Sequence, residues 1–323
     1  MKNFLKTLLV LILTTVLLLT GCNTADEPYT YEKLSIKTDY KLTHIYPSLF
    51  TDEALYFFCS TVPYGDRNPL DDDYHTIRRR FFKMDFSGNT TQLSGFDHDK
   101  WGGLNGLLED ADKNLYVKSS VELGVNIGED VERTLLKLDA NGTIVQEKPL
   151  LDEDSFFQAV AEEDEYVCIG GGVFIYDSNF QRVAEIPTGI ECGNVYDIFS
   201  INDSRIICVV EEDRNLHLLT IDRENRCVKE SFLIENAYAA YQGNSEYDII
   251  YYNQGEHKIY AQNLGKEPKL LVSFADYGLN VMAVTNLKFT ESGDIIIVCD
   301  IDEWPDGTHS KAGESDVVIL KKQ

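Results

Sequence analysis

The sequence predicts an all-β fold in which similar four-stranded units are arranged around a central axis. Apolar strands recur along the chain, each after an acidic, Asn or Ser turn, and they begin at Ala54, Asn114, Glu165, Ser204, Glu246 and Gly293. A short apolar stretch precedes each of these strands and further strands follow it, which gives four per unit. The units repeat at a step of roughly 40–60 residues, which is typical of a repeat architecture.

Tight turns between the strands support hairpin connections inside each unit. The segments Asp85–Asn89 and Asp139–Gly142 contain Asn and Gly, which tolerate the positive φ of such turns. A single sheet of this kind cannot bury both faces, so the units must stack on one another. We therefore predict a β-propeller, with six four-stranded blades as the expected arrangement. A β-sandwich is the structural alternative.

The final unit is incomplete and predicts how the ring closes. It ends in the segment DVVILKKQ after only three strands. We expect the segment YEKLSIKT, which begins at Tyr31, to supply the fourth strand, because pairing the chain ends removes free sheet edges. The predicted domain plan is a signal peptide at residues 1–21, a tether at residues 22–29 and the propeller at residues 30–323.

The N-terminus has the pattern of a secretory signal. Lys2 and Lys6 precede an apolar run at residues 8–19, and the run ends in Leu19-Thr20-Gly21-Cys22. This ending resembles the lipobox of bacterial lipoproteins. The resemblance implies cleavage before Cys22 and lipid attachment to it, and hence a place on the extracytoplasmic face of the bacterial cell membrane. The alternative is a retained transmembrane anchor, for which the run is short.

The charge of the chain excludes some partners and fits others. The formal net charge is −25 at pH 7. A field of this sign repels nucleic acid and anionic lipid headgroups, so we predict no nucleic-acid partner. Stable anchoring requires two acyl chains, and the lipoproteins that this sequence resembles carry them at the cysteine.

Six of the seven cysteines lie beyond the lipobox. Cys59, Cys168, Cys208 and Cys299 lie inside apolar runs at equivalent places in different units, so we expect them to be buried and unpaired. Cys192 and Cys227 lie in polar contexts. No Cys-x-x-Cys or Cys/His metal pattern is present. The even count permits disulfides as the alternative.

The chain resembles the β-propeller superfamily over nearly all of residues 30–323, without the motifs of a particular subfamily. Trp101 precedes Gly and Trp304 precedes Pro, so neither belongs to a Trp-Asp dipeptide. The sequence is also similar to the propeller that precedes the binding domain in some extracellular solute-binding lipoproteins of Gram-positive bacteria. That resemblance implies a role accessory to solute uptake, although this chain stops at Gln323, where those proteins continue.

Loop lengths predict where a binding site lies. The connections between second and third strands are long in the last, first and second units, at about Asp300–Ser315, Thr61–Arg78 and Ser119–Glu132. They are short in the other units. These three units are consecutive around a closed ring, so their connections should form a wall on one face, joined by the linker Gly95–Gly106. Long loops on a rigid scaffold commonly carry function.

Aromatic and imidazole side chains in these segments are the candidate ligand-binding residues. They are Tyr64, Tyr74, Trp101, Trp304 and His309. We expect them to hold a protein, a peptide or a glycan at the cell envelope. The alternative for Trp101 and Trp304 is that both side chains fill gaps between blades.

No catalytic motif is present, so we predict a non-enzymatic binding or scaffold module with no cofactor. The alternative is a metal-dependent hydrolase or lyase similar to sugar-processing propellers. Its candidate residues on first strands are Glu109, Glu162, Asp197 and Asn286. Calcium is the metal best suited to acidic loops, and the segments Leu70–Asp73 and Asp300–Asp306 offer carboxylates for it.

Overall fold

The computed structural model describes residues 29–34, 36, 40–63, 78–96, 104–109, 113–122, 131–149, 158–162, 165–170, 172–177, 181–187, 194–202, 205–212, 215–237, 239–308 and 315–323. These residues are mostly β-strand, with one short 3-10 helix at Phe274–Tyr277. None of the described helices is long and apolar enough to cross a membrane.

The first three sheets use consecutive strands. Sheet 1 contains β2 (Tyr40–Phe50), β3 (Ala54–Pro63), β4 (Arg78–Asp85) and β5 (Thr90–Gln92). Sheet 2 contains β6 (Asn105–Glu109), β7 (Leu115–Glu122), β8 (Val131–Leu138) and β9 (Ile144–Pro149). Sheet 3 contains β10 (Gln158–Glu162), β11 (Glu165–Gly170), β12 (Gly172–Asp177) and β13 (Arg182–Ile186).

The next two sheets follow the same plan, and the last one combines both ends of the described chain. Sheet 4 contains β14 (Asn194–Asn202), β15 (Arg205–Glu212), β16 (Asn215–Asp222) and β17 (Cys227–Ile234). Sheet 5 contains β18 (Ala239–Asn244), β19 (Tyr247–Asn253), β20 (Lys258–Gln262) and β21 (Lys269–Ser273). Sheet 6 contains β22 (Asn280–Phe289), β23 (Ile295–Glu303), β24 (Asp316–Lys322) and β1 (Tyr29–Lys33).

The sheets form a closed ring, which confirms the predicted all-β fold and the β-propeller. The described strands give six four-stranded antiparallel sheets, hereafter called blades 1–6. The first strands of the blades are the innermost. Each contacts the first strand of the next blade, in the order β2, β6, β10, β14, β18, β22 and back to β2.

Strand β1 closes the ring as the sequence predicts. It pairs antiparallel with β24, with Tyr29 opposite Lys322 and Lys33 opposite Val318. The Tyr29 hydroxyl donates to the carbonyl oxygen of Gly293 at 3.2 Å. The hydroxyl oxygen of Tyr277 accepts the backbone N–H of Tyr29 at 3.0 Å. Strand β1 is therefore the outermost strand of blade 6.

The core lies between neighbouring blades, because each sheet is buried on both faces. On β23, Ile295, Ile297 and Cys299 pack towards blade 5, whereas Ile296 and Val298 pack towards blade 1. This alternation explains why the run GDIIIVC is continuously apolar. Successive side chains of a strand point to opposite faces of the sheet, and here each face packs against the apolar surface of a neighbouring blade.

The buried cysteines confirm the prediction made for the apolar runs. Cys59, Cys208 and Cys299 are buried and form no disulfide, and they lie on the second strands β3, β15 and β23. Cys227 also forms no disulfide but is exposed at the start of β17. Cys168 lies on another second strand, β11. The side chain of Cys168 and residues 22 and 192 lie outside the part of the chain that is described.

We expect Cys227 to react with a thiol reagent before Cys59, Cys208 and Cys299. Burial raises the pKa of the Cys59 thiol to about 12, and it raises the pKa of the Cys299 thiol as well, so neither forms an accessible thiolate at neutral pH. Brief labelling of the native protein, followed by mass spectrometry of its peptides, measures the order in which the cysteines react. Labelling of Cys299 at the rate of Cys227 would show that blade 6 is open where the structure has it packed.

In two of the hairpins between third and fourth strands, an Asp carboxylate accepts hydrogen bonds from backbone N–H groups of the same turn. In blade 1, Asp85 Oδ1 accepts the N–H groups of Ser87 and Asn89, both at 2.9 Å. In blade 2, Asp139 Oδ1 accepts those of Asn141 at 2.8 Å and Thr143 at 2.9 Å. These carboxylates satisfy turn N–H groups, so part of the acidic character of the chain is structural.

Candidate functional site

The two ends of the ring carry different connections. Strands alternate in direction within each blade, so second-to-third connections and links between blades lie at one end, which we call the loop face. First-to-second and third-to-fourth turns lie at the other end, the hairpin face. In blade 6 the loop face is marked by Asn280, which is paired with Glu303, and by Asp316, which begins β24.

The loop face is uneven around the ring. Long second-to-third connections join Pro63 to Arg78 in blade 1, Glu122 to Val131 in blade 2 and Glu303 to Asp316 in blade 6. In blades 3, 4 and 5 the same connection has one, two and four residues between the strands. The predicted asymmetry is confirmed. The flanking strands β3, β7 and β23 run two to three residues further into the connections than expected.

The predicted site residues fall partly outside the described structure. Those outside are Cys22, Tyr64, Tyr74, Trp101 and His309, together with the acidic segment Leu70–Asp73. Trp304 is described, as are Asp302 and Asp306 of the acidic segment in blade 6. Of the predicted ligand-binding residues, the described part of the chain therefore contains Trp304, at the base of the blade 6 connection.

Trp304 packs between blades rather than standing on the surface. Trp304 is 7% exposed, and it belongs to the core layer between blades 5 and 6 together with Phe274 and Leu279. The Lys33 ammonium lies over its ring, 4.1 Å from the centroid. The structure thus corrects the expectation of an exposed aromatic: Trp304 occupies the gap-filling position that was its alternative, because its side chain packs into the core layer between blades 5 and 6.

Lys33 joins the closing strand to the base of the same connection. Its Nζ lies 2.7 Å from Asp316 Oδ1, and the Asp316 side chain is only 10% exposed. A nearly buried carboxylate is costly without a cation nearby. Lys33 therefore makes an ion pair with Asp316 and a cation–π interaction with Trp304 at the same time.

Ser315 fixes the other end of the connection. Its hydroxyl donates to Asp300 Oδ1 at 3.1 Å and accepts the backbone N–H of Ile45 at 3.2 Å. Ile45 lies on the innermost strand of blade 1, so Ser315 links two blades. Together with Trp304, Ser315 anchors residues 304–315 at both ends on a rigid scaffold.

A tight turn follows Trp304. The Trp304 N–H donates to the Thr308 carbonyl at 2.8 Å, and the Gly307 N–H donates to the Trp304 carbonyl at 2.9 Å. The Asp306 carboxylate accepts the Thr308 hydroxyl at 2.7 Å and its N–H at 2.9 Å. These hydrogen bonds lower the pKa of Asp306, so it stays ionised on the exposed surface.

Sequence reasoning missed Lys33, Ser315 and Asp316. Their only signal is position: Lys33 ends β1, and Ser315 and Asp316 precede the apolar residues of β24. Lys33 and Asp316 are separated by almost the whole chain, and no local pattern predicts their pairing. The closure of blade 6 brings them together.

The candidate residues of the enzymatic alternative serve as structural contacts where they are described. The Asn286 amide donates to the Ser48 carbonyl at 3.1 Å and to its hydroxyl at 2.9 Å, which links blade 6 to blade 1. Glu109 pairs with Lys113 at 3.2 Å. The side chains of Glu162 and Asp197 are not among those described. Within the described residues, no group of three or more His, Cys, Asp or Glu is placed to hold a metal ion.

A second titratable group lies at the loop face, on the short turn of blade 5. Glu256 Oε2 accepts the Tyr260 hydroxyl at 2.6 Å and the Lys258 ammonium at 2.9 Å. The Tyr260 hydrogen bond, with help from Lys258, lowers the pKa of Glu256. Its pKa is lower in the folded than in the unfolded chain, so its stabilising effect is present at neutral pH and is lost as the pH falls through the folded value.

We expect Glu256→Gln to reduce the difference in thermal stability between pH 7 and pH 3. The change in free energy at pH 7 should stay below about 1 kcal/mol, because the side chain is half exposed and solvent screens the interaction. Thermal unfolding across this pH range measures it, with Glu267→Gln, on an exposed turn, as the matched control. If Glu256→Gln and the unmodified protein lose the same thermal stability between pH 7 and pH 3, ionised Glu256 does not stabilise the fold.

Comparison with known proteins supports the fold alone. No protein-family model and no curated protein matches the chain. A putative exported protein from Bacteroides fragilis NCTC 9343 is similar in structure, with a TM-score of 0.57 and 11% identity over 94% of this chain and 98% of that one. The Dos1 propeller gives a TM-score of 0.52 and 13% identity over 89% of this chain and 82% of that one.

A third similar structure is an oligogalacturonate lyase in complex with manganese. Its TM-score is 0.49 at 11% identity, over 93% of this chain and 99% of that one. A shared propeller fold does not by itself assign a function.

Proposed function

We propose that this chain is a lipid-anchored, extracytoplasmic binding module that holds a protein, peptide or glycan on its loop face. The lipobox ending at Cys22 supports the anchor and the location. The propeller supplies a rigid ring on which connections of different length are displayed.

One observation carries the proposal: the three long second-to-third connections belong to blades 6, 1 and 2, which are neighbours around the ring. Connections that share one side of one face form a continuous surface, as a binding site requires.

The base of the blade 6 connection supports the same conclusion. Trp304 and Ser315 are both buried, at 7% and 6% exposure, so the segment between them leaves and re-enters a packed core. The packing of Trp304 and the hydrogen bonds of its turn hold residues 304–308, so these residues lose less conformational entropy when a partner binds. The exposed acids Asp302, Glu303 and Asp306 give its described surface a negative character.

The proposal is tested by shortening the wall without disturbing the ring. Residues 64–77 are replaced by a two-residue Asn-Gly link, and residues 123–130 in a second variant are replaced in the same way. A matched control exchanges the hairpin-face turn at residues 223–226 for Asn-Gly. Each variant and the unmodified mature domain are applied to a glycan array and a peptide array, and thermal unfolding confirms that each is folded.

We expect the unmodified domain and the hairpin-face control to bind the same array members, and both loop-face variants to lose at least tenfold in affinity. Binding that survives both loop replacements, or that is lost only in the hairpin-face control, would place the site elsewhere. Turnover of an array glycan that is abolished by the same replacements would favour the enzymatic alternative.

A further inference from the structure

We propose that the loop face points away from the membrane, with the hairpin face towards it. This inference rests on the proposed lipid anchor at Cys22. It adds the direction in which the binding surface is presented, which neither the signal sequence nor the fold class supplies.

The direction follows from strand order in blade 6. Strand β24 starts at the loop face with Asp316 and ends at the hairpin face with Lys322. Strand β1 is antiparallel to β24, with Tyr29 opposite Lys322. The chain that leads from Cys22 therefore enters the propeller at the hairpin face, whatever path it follows before Tyr29.

A further contact fixes Tyr29 at that end. Its hydroxyl donates to the carbonyl of Gly293, in the turn that joins β22 to β23. That turn is a first-to-second connection and lies on the hairpin face. Further along β1, Lys33 reaches Trp304 and Asp316 at the loop face. Strand β1 thus spans blade 6 from one face to the other.

Length then decides between the two orientations. Residues 22–28 reach at most roughly 25 Å when fully extended. Strand β24 rises by about 20–23 Å from the loop face to the hairpin face. To bring the loop face to the bilayer, the tether would have to run back along all of blade 6 and would have almost no length left. With the hairpin face towards the bilayer, the same tether is long enough without strain.

Energy transfer to the bilayer measures the orientation on the full lipidated chain. Donor dyes are placed on Glu291→Cys, in the hairpin-face turn of blade 6, and on Glu303→Cys, at the loop-face end of the same blade. Both residues are exposed glutamates at opposite ends of β23. Each variant also carries Cys227→Ser, which removes the exposed thiol of the described residues, and Cys192→Ser, which removes the other cysteine that the sequence places in a polar context. The proteins are reconstituted in phosphatidylcholine vesicles that contain an acceptor-labelled lipid.

We expect at least twofold more transfer from Glu291→Cys than from Glu303→Cys. A Gly/Ser spacer of about twenty residues after position 23 should abolish the difference, because the longer tether permits every orientation. Equal transfer with the native tether, or more transfer from Glu303→Cys, would overturn the inference.

The mass of the N-terminal peptide of the purified protein separates the two possible failures. Acyl chains on Cys22, combined with equal transfer from both donors, would overturn the orientation and leave the anchor intact. A membrane-bound protein whose Cys22 carries no acyl chain would refute the lipid anchor, and the orientation would fall with it.

Discussion

Deletion of Tyr29–Lys33 is expected to lower the free energy of unfolding by more than about 3 kcal/mol, since it removes a buried aromatic residue and the cation that compensates the nearly buried Asp316 carboxylate. The deleted strand supplies Tyr29, which is 7% exposed, and Lys33, which is paired with Asp316. Its loss also leaves β24 as an unpaired edge, so we expect the protein to self-associate.

Urea unfolding and sedimentation of the mature domain, with and without these five residues, measure both effects. Glu32→Gln is the matched control: it removes an ion pair of β1 with Lys321 in which both side chains are about half exposed. That change should cost less than about 1 kcal/mol. If the deleted protein unfolds at the same urea concentration as the unmodified one and stays monomeric, β1 does not close the ring.

The strand pattern was predictable because the blades bury both faces of every sheet. Runs such as ALYFFCS and GDIIIVC are apolar without alternation, and the acidic or Gly-containing turns before them mark where each strand begins. The same reasoning located the fourth strand of blade 6 near Tyr31, since three strands leave a free edge. These features depend on local sequence and on the need to cover apolar surface.

The direction of individual side chains was not predictable from the sequence. Strand β22 shifts register against β23 between Val281 and Ala283 and again between Val284 and Asn286. Each bulge reverses the alternation of the residues that follow. Counting along the strand therefore could not show that Asn286 donates to Ser48 of the neighbouring blade. Bulges depend on packing around the ring, which one strand does not contain.

Trp304 shows the same limit at the candidate site. The segment Trp-Pro-Asp-Gly predicts a turn, and the structure has one, closed by the hydrogen bond from Gly307 to Trp304. The turn fixes the path of the backbone but not the burial of the indole. Burial depends on the space between blades 5 and 6 and on Lys33, both of which are distant in sequence.

Trp304→Ala is expected to destabilise the domain by about 3–5 kcal/mol, the usual cost of removing a large buried aromatic side chain. The change leaves a cavity in the layer between blades 5 and 6 and removes the aromatic surface beneath the Lys33 ammonium. Trp304→Phe should cost less, because a phenyl ring keeps part of the apolar contact and of the cation–π interaction.

Urea unfolding of the two variants, beside Glu303→Ala as an exposed neighbour, measures these costs. Glu303→Ala should stay within about 0.5 kcal/mol of the unmodified domain. A Trp304→Ala protein of unchanged stability that no longer binds array ligands would show that the indole is a surface anchor after all. A large loss of stability would instead assign Trp304 to the scaffold and leave recognition to the residues between it and Ser315, and to the connections of blades 1 and 2.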